Sequence, residues 1–131
     1  MAIEISYRDL SNHGSMLQDG VRCRAFREAL FEVVTPDSVV LDIGAGTGIL
    51  SIFAAQAGAK HVYAVERSPV AQAAREIIST NGLSDRITVI QGEMEALDLP
   101  EKVDVIVSEW LGGYGVDENL LPIVIQARDR W

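Results

Sequence analysis

The chain has 131 residues, a net charge of −8 and 48% hydrophobic residues, which suits one compact domain and is too short to predict two. One cysteine and two histidines exclude an internal disulfide and a cysteine-cluster metal site, and they disfavour a catalytic metal. The first residues, MAIEISYRDL, lack the basic start and apolar block of a signal peptide, and no apolar stretch is long enough to span a membrane. We therefore expect a cytoplasmic protein with neither a membrane partner nor a bound metal.

The acidic balance also bears on the kind of partner. Proteins that bind nucleic acid usually present a basic face to the phosphate backbone, so a nucleic-acid partner is disfavoured. A cationic partner fits the charge better. Solubility alone is an alternative explanation, because most acidic domains are acidic for that reason.

The apolar pattern predicts alternating helices and strands. Residues 15–34 carry apolar side chains at helical spacing, and SVVLDI (38–43) is a short apolar run typical of a strand buried on both faces. TGILSIFAAQA (47–57) predicts a helix that ends before Gly58, the usual residue type just past a helix end. HVYAVE (61–66) predicts the second strand.

The second half of the chain continues the alternation. SPVAQAAREIISTNG (68–82) predicts a helix with Ser68 as N-cap and Pro69 at the first helical position. RITVIQ (86–91) and KVDVIVSE (102–109) predict the third and fourth strands. A last helix is predicted over 119–130, in which Pro122 is tolerated only in the first turn.

This order of elements predicts the fold class. It indicates an α/β fold of the Rossmann-like type, an open parallel sheet of four strands with helices on both faces. We expect one ligand-binding domain over residues 1–131, with an N-terminal helical cover (1–35) and a sheet core (36–131). Ligands of such sheets bind at the carboxyl ends of the strands, where the strand order reverses.

The segment after the first strand predicts the ligand. Gly44, Gly46 and Gly48 follow Asp42 and let the backbone approach a ligand closely, and Glu66 at the end of the second strand suits the hydroxyls of a ribose. The spacing departs from the G-x-G-x-x-G dinucleotide pattern, and the Asp42 carboxylate repels a pyrophosphate but attracts an amino group and a sulfonium. The pattern therefore predicts S-adenosylmethionine, with a glycine-rich turn of another α/β protein as the alternative.

The loop after the third strand, QGEMEALDL (91–99), adds three carboxylates at the same rim, Glu93, Glu95 and Asp98. One of them is expected to accept the adenine amino group, while the apolar Met94 packs on the adenine ring. The remaining carboxylates are interpreted as part of a solvated acidic loop.

The segment after the fourth strand, VSEWLGGYGVDENLL (107–121), places Glu109 and Glu118 around a glycine-rich loop that can fold back on itself. It resembles the double-glutamate hairpin of the protein arginine methyltransferases, which have the class I S-adenosylmethionine-dependent methyltransferase fold. VLDIGAGTGILSIFAAQAGAKHVYAVE (40–66) is similar to the first two motifs of that family almost throughout. HGSMLQDGVR (13–22) resembles its cofactor-covering helix, and ARDRW (127–131) the helix after its hairpin.

The resemblance implies an arginine N-methyltransferase that acts on a cationic protein or peptide. It implies that Arg22 holds the cofactor carboxylate, that Met16 lies near the sulfur and that Asp42 and Gly44 contact the methionine end. Glu66 then belongs to the ribose and Glu95 to the adenine amino group.

The two glutamates have a physical rationale in this reaction. A guanidinium stays protonated at physiological pH, so its nitrogens are poor nucleophiles until charge is drawn to one of them. Carboxylates from Glu109 and Glu118 that bind the other nitrogens achieve this and fix the group for transfer. An alternative for Glu118 is that it caps the last helix.

The resemblance covers residues 7–131 and implies a cofactor-binding half, because the family continues with further strands, a Thr-His-Trp loop and a β-barrel. A sheet ending at its fourth strand leaves an edge, so we expect association of copies through that edge or partial instability. Two other functions stay open. One is methyl transfer to a ribosomal protein or small molecule, and the other is cofactor binding without turnover.

Overall fold

The computed structural model describes residues 20–108, 111–112, 115–116 and 121–130, with side chains over 24–108 and 125–130. Its main sheet contains β1 (Val39–Ile43), β2 (His61–Glu66), β3 (Ile87–Gln91) and β4 (Val105–Ser108). The helices are α1 (Gly20–Val33), α2 (Ile49–Gln56), α3 (Val70–Thr80) and α4 (Leu121–Arg130), and a short 3₁₀ helix spans Met94–Ala96. The strands β5 (Leu111–Gly112) and β6 (Gly115–Val116) form a separate antiparallel pair. The predicted alternation of helices and strands is confirmed.

The sheet has the strand order β3-β2-β1-β4, and all its neighbouring strands are parallel. The chain first moves outward from β1 to β3 and then crosses back to place β4 on the other side of β1. Asp42 therefore lies in register with Ala64 of β2 and Val107 of β4. The strand order reverses at β1, and the carboxyl end of this strand is where ligands of such sheets bind.

Both faces of the sheet are covered, which explains why β1 reads as a continuous apolar run. Val40 packs on one face with buried residues of α1, α2 and α3. Val39, Leu41 and Ile43 pack on the other face with residues from the segment after β3 and with Ala127 of α4. Every residue of β1 is buried, as expected for a central strand of a parallel sheet.

The ends of α2 and α4 follow their sequence signals closely. α2 begins at Ile49, two residues after the predicted start at Thr47, which is within the usual spread of helix boundaries. Gly58, just past its end, has a φ of 102°, a left-handed conformation that favours glycine. Pro122 is the second residue of α4 and so lies in the first turn, as predicted.

The start of α3 differs from the prediction by one residue. The sequence favours Ser68 as N-cap, whereas the structure has Pro69 there and begins the helix at Val70. Ser68 still acts as a capping side chain, because its hydroxyl accepts the Val70 N–H at 3.2 Å. The prediction was therefore wrong about the boundary and right about the role of the serine.

Candidate functional site

A glycine-rich loop (44–48) joins β1 to α2 at the carboxyl end of the sheet. Gly44, Gly46 and Gly48 have φ values of 70°, 58° and 89°, which lie in the left-handed region. The N–H groups of Gly44 and Ala45 both donate to the Val65 carbonyl, at 2.9 and 3.0 Å. The loop is thereby attached to the end of β2, and its three glycines place no Cβ atom between the backbone and a ligand.

Gly48 also packs closely against α3. A Cβ at this position would lie 3.3 Å from Cδ1 of Ile78 and 3.7 Å from Cβ of Ala74. Glycine therefore lets α2 begin close to α3, in addition to allowing the left-handed backbone. It also means that the N-cap of α2 has no side chain with which to cap the helix.

Glu66 links the loops that follow β1 and β2. Its side chain is buried, with only 2% exposed. Its Oε1 accepts the Gly46 N–H at 3.1 Å, and its Oε2 accepts the Ser68 N–H at 2.7 Å. An ionised carboxylate has about four lone-pair positions, so both oxygens retain capacity for the hydroxyls of a ligand.

Asp42 lies at the same end of the sheet and is 1% exposed. Its Oδ2 accepts the Ser51 hydroxyl of α2 at 2.8 Å. Burial raises the pKa of this carboxyl from 3.8 to about 7, Ser51 opposes the rise, and the nearby Glu66 carboxylate adds to it. Among the residues that the structure describes, no cation contributes to this pKa.

The candidate residues in the loop after β3 have different environments. Met94 is only 5% exposed and packs in the core with β1, β2 and Ala127. Glu93 and Glu95 are exposed, and Asp98 forms an ion pair with Arg130 of α4. Glu93 and Glu95 are therefore the carboxylates of this loop that remain outside the ion pair with α4.

The end of β4 is attached directly to the end of β1. The Ser108 hydroxyl is buried and donates to the Ile43 carbonyl at 2.8 Å. Beyond it, Leu111 pairs with Val116 and Gly112 with Gly115 in the β5–β6 hairpin. The segment after β4 therefore starts beside the glycine loop and folds back on itself, as predicted.

Four predicted site residues lie wholly or partly outside the described part of the structure. Glu109, Glu118 and Met16 lie outside the described residues. Arg22 lies in α1, but its side chain is outside the described part. Their roles remain predictions.

Sequence reasoning did not identify the hydroxyls that support the site. Ser51 donates its hydroxyl to Oδ2 of Asp42, and Ser108 donates its hydroxyl to the Ile43 carbonyl, both at the carboxyl end of the sheet. A signal existed for Ser51, because it is a polar residue inside the otherwise apolar run ILSIFAA. In the described part of the chain, no three potential ligand side chains cluster as a metal site, and no helix has the length and apolarity needed to cross a membrane.

The parallel sheet that reverses its order at β1, the glycine loop after β1 and the buried acid at the end of β2 together define a Rossmann-like domain of the class I methyltransferase type. A family model described as "Ribosomal protein L11 methyltransferase (PrmA)" matches residues 26–116. By this match and by its relatives, the chain belongs to the methyltransferases of this fold and, among them, to the protein arginine N-methyltransferase family.

Two curated relatives illustrate the similarity. The "Probable protein arginine N-methyltransferase 1.2" of Arabidopsis thaliana is 49% identical over 129 residues, which cover 96% of this chain and 35% of the relative. The "Protein arginine N-methyltransferase 1" of Schizosaccharomyces pombe is 50% identical over 129 residues, which cover 96% of this chain and 38% of the relative. The chain thus spans little more than a third of the length of these relatives.

Solved structures give the same result. Protein arginine methyltransferase 10 of Arabidopsis thaliana matches with a TM-score of 0.87 and 45% identity, over 96% of this chain and 37% of that chain. A Trypanosoma brucei PRMT1 enzyme-prozyme heterotetrameric complex with AdoHcy matches with a TM-score of 0.87 and 48% identity, over 95% of this chain and 40% of that chain. The predicted fold class is confirmed.

Proposed function

We propose that the chain binds S-adenosylmethionine at the carboxyl ends of β1 and β2 and serves methyl transfer to an arginine guanidinium of a cationic protein or peptide. Relatives that are about 50% identical are named protein arginine N-methyltransferases, and one matching structure is a complex with AdoHcy, the demethylated form of this cofactor. The bound cofactor supplies an electrophilic methyl group on a sulfonium sulfur.

The described residues fit this cofactor chemically. Asp42 is a buried carboxylate without a described cationic partner, and the amino group and sulfonium of the cofactor supply positive charge. Glu66 retains lone pairs for the ribose hydroxyls, and Gly44 and Gly46 allow the methionine end to lie against bare backbone. Glu95 is exposed at the same rim and is proposed to accept the adenine amino group.

Three further residues complete the proposed cofactor site. Met94 is proposed to pack under the adenine ring from its buried position after β3. Arg22 and Met16 are assigned to the cofactor carboxylate and the sulfur by resemblance alone. An arginine is suited to a carboxylate because its guanidinium offers two parallel N–H donors.

The register of the β5–β6 hairpin is the observation that carries the arginine assignment. Leu111 pairs with Val116, and Gly112 pairs with Gly115. We propose that this register continues two residues further out on each strand, which would place Glu109 opposite Glu118. Side chains two apart on a strand share a face, and directly opposed side chains have Cβ atoms about 4.5–5.5 Å apart. This separation suits two carboxylates that bind one guanidinium.

In this arrangement the chain holds and orients the acceptor. Two carboxylates accept N–H bonds from two guanidinium nitrogens and leave the third nitrogen toward the methyl group. Because the carboxylates stabilise positive charge on the nitrogens that they contact, electron density remains on the third. Ser108 fixes the start of the hairpin beside the cofactor loop, so the transfer gains from alignment.

A peptide methylation assay tests this assignment. We expect the chain to methylate an arginine-containing peptide and to leave the lysine-substituted peptide unmodified, as measured by mass spectrometry. Glu109→Gln and Glu118→Gln should each lower the methylation rate about a hundredfold or more and change cofactor affinity less than about twofold. Asp117→Asn is the matched control, because it removes a neighbouring carboxylate of the same segment. Undiminished methylation by both glutamine variants would contradict the clamp.

Two other functions remain as alternatives. The match to the ribosomal protein L11 methyltransferase model favours a ribosomal protein as an acceptor, and such a protein belongs in the same assay. The second alternative is a domain that binds the cofactor without turning it over. Cofactor binding without any methylated product would support this second alternative.

We also propose that copies of the chain associate through the outer edge of β4. This edge has no strand partner among the described strands, and Val105, Ile106 and Val107 are only half-buried. Unpaired strand edges readily pair with another chain. Light scattering over a range of concentrations should show a mass that rises above the 14.3 kDa of one chain. A constant monomer mass would contradict the proposal.

A further inference from the structure

The first turn of α2 contacts a carboxylate of the neighbouring strand β1. Gly48 occupies the N-cap position with a φ of 89° and offers no side chain to the helix. The first N–H groups of a helix have no partners within the helix, so an acceptor must come from elsewhere. Ser51 lies in the first turn of α2, and its hydroxyl donates to the side chain of Asp42 on β1.

The contact between Ser51 and Asp42 is buried on both sides. Ser51 is fully buried, and its hydroxyl donates to Oδ2 of Asp42 at 2.8 Å. The backbone N–H of Ser51 also stabilises this carboxylate. One serine thus contacts Asp42 through two donors, and both favour its ionised form.

We propose that Ser51 is a positioning residue for cofactor binding, because its hydroxyl holds Oδ2 of Asp42 and leaves Oδ1 to accept the cofactor amino group. The inference rests on the proposed function, which places the methionine end of S-adenosylmethionine at Asp42. It adds a residue that does not touch the cofactor and acts through the carboxylate that does.

Among the described residues, Ser51 is the one that favours the ionised form of Asp42. Glu66, at the end of β2, is the described ionisable group whose charge acts on Asp42, and it opposes ionisation. The segments ILSIFAAQ of α2 and VIVS of β4, which lie against β1 or beside it, contain no ionisable residue. Loss of the hydroxyl therefore moves the ionisation of Asp42 to higher pH and weakens the binding of a cationic group below that pH.

The test compares Ser51→Ala with the wild type by calorimetric titration with S-adenosylmethionine and S-adenosylhomocysteine at pH 6, 7.5 and 9. We expect the variant to bind about tenfold more weakly at pH 6, the size expected for one hydrogen bond to a charged group. At pH 9 the two affinities should agree within about twofold. The cofactor has titrating groups of its own, which affect both proteins equally. We therefore compare the ratio of the variant affinity to the wild-type affinity at each pH, in which this effect cancels.

Two variants serve as controls. Ser51→Thr keeps a hydroxyl and should restore the wild-type pH dependence. Ser38→Ala removes another buried serine, at the opposite end of β1, where its hydroxyl contacts Thr35. We expect no pH-dependent change in cofactor affinity from Ser38→Ala.

Carboxyl ¹³C NMR of Asp42 without cofactor provides a readout that does not depend on binding. The midpoint of its titration should move to higher pH in Ser51→Ala, and an unchanged midpoint would overturn the proposal. An affinity loss that is equal at all three pH values would indicate a purely structural serine and also overturn it. If the wild type binds neither ligand at any pH, the proposed cofactor-binding function itself fails. If the wild type binds but Ser51→Ala shows no pH-dependent loss, only the proposal for Ser51 fails.

Discussion

Replacement of Glu66 by glutamine is expected to weaken S-adenosylmethionine binding about a hundredfold and to lower the free energy of unfolding by about 2–4 kcal/mol. Both oxygens of this buried carboxylate accept backbone N–H groups, from Gly46 and from Ser68. A glutamine retains one acceptor and directs an NH₂ group at the other N–H. One buried donor then loses its partner, and the ribose hydroxyls lose a charged acceptor.

Calorimetry with S-adenosylhomocysteine and urea unfolding measure the two effects on the same preparation. Glu76→Gln, an exposed substitution of the same type on α3, is the control and should change neither quantity. An affinity within about twofold of the wild type would show that Glu66 serves only the loops. An unchanged free energy of unfolding would show that the loops do not depend on its charge.

Replacement of Asp42 by asparagine is expected to stabilise the protein at pH 8 and to weaken cofactor binding. The pKa of Asp42 is raised from 3.8 to about 7 in the folded state, mainly by burial. Below pH 4 the carboxyl is protonated in both the folded and the unfolded state. Between pH 4 and 7 the unfolded chain releases its proton while the folded chain retains it, so the stability falls as the pH rises.

Asparagine has a similar shape and does not titrate, so this fall is absent in the variant. The difference in the free energy of unfolding, variant minus wild type, should grow between pH 4 and pH 8 by about 1.4 kcal/mol for each unit of the pKa shift. Above pH 8 the difference should be constant. Chemical unfolding at several pH values measures it.

The control for this prediction is Asp37→Asn, which changes an exposed carboxylate just before β1 and should give a flat difference. Parallel stability curves for Asp42→Asn and the wild type would contradict the raised pKa. Cofactor affinity measured at pH 8 completes the test, because a residue with only a structural role would gain stability without losing affinity. A gain in stability together with a loss of affinity is the expected signature of a buried charge kept for binding.

The sequence predicted the strands well, because β1 and β2 are buried runs flanked by clear helix signals. It did not predict the order in which the strands pair. The apolar pattern of β4 would be the same beside β3 as beside β1, and its place depends on distant contacts. Asp104 makes one of them, since its carboxylate accepts the Val39 N–H and its own N–H donates to the Val39 carbonyl.

The shortest elements were also beyond the reach of sequence periodicity. The 3₁₀ helix at Met94–Ala96 and the two-residue strands β5 and β6 are too short to show a repeat. The reversal of the chain between Leu111 and Val116 was nevertheless predicted, because its glycine-rich sequence favours a turn.

Within the candidate site, sequence reasoning identified the carboxylates and not the hydroxyls. Asp42 was recognised because it precedes the glycine-rich run, and Glu66 because it is an acid at the end of the second strand, where it suits a ribose. Ser51 and Ser108 were not, because a small residue in an apolar run resembles ordinary core packing. Only the three-dimensional structure shows that each of these hydroxyls joins two elements of the site.

The position of β4 has a consequence for chain entropy. β2 follows β1 after a single helix, whereas two strands, two α-helices and the short 3₁₀ helix separate β4 from β1. Closing a longer segment of chain costs more entropy, so the β1–β4 pairing is the more expensive contact of the sheet to form. The glycine loop and Glu66 therefore depend on the pairing of β1 with β2, which are close in sequence. The hairpin after Ser108 depends on the pairing of β1 with β4, which joins the segments farthest apart in sequence among the four strands.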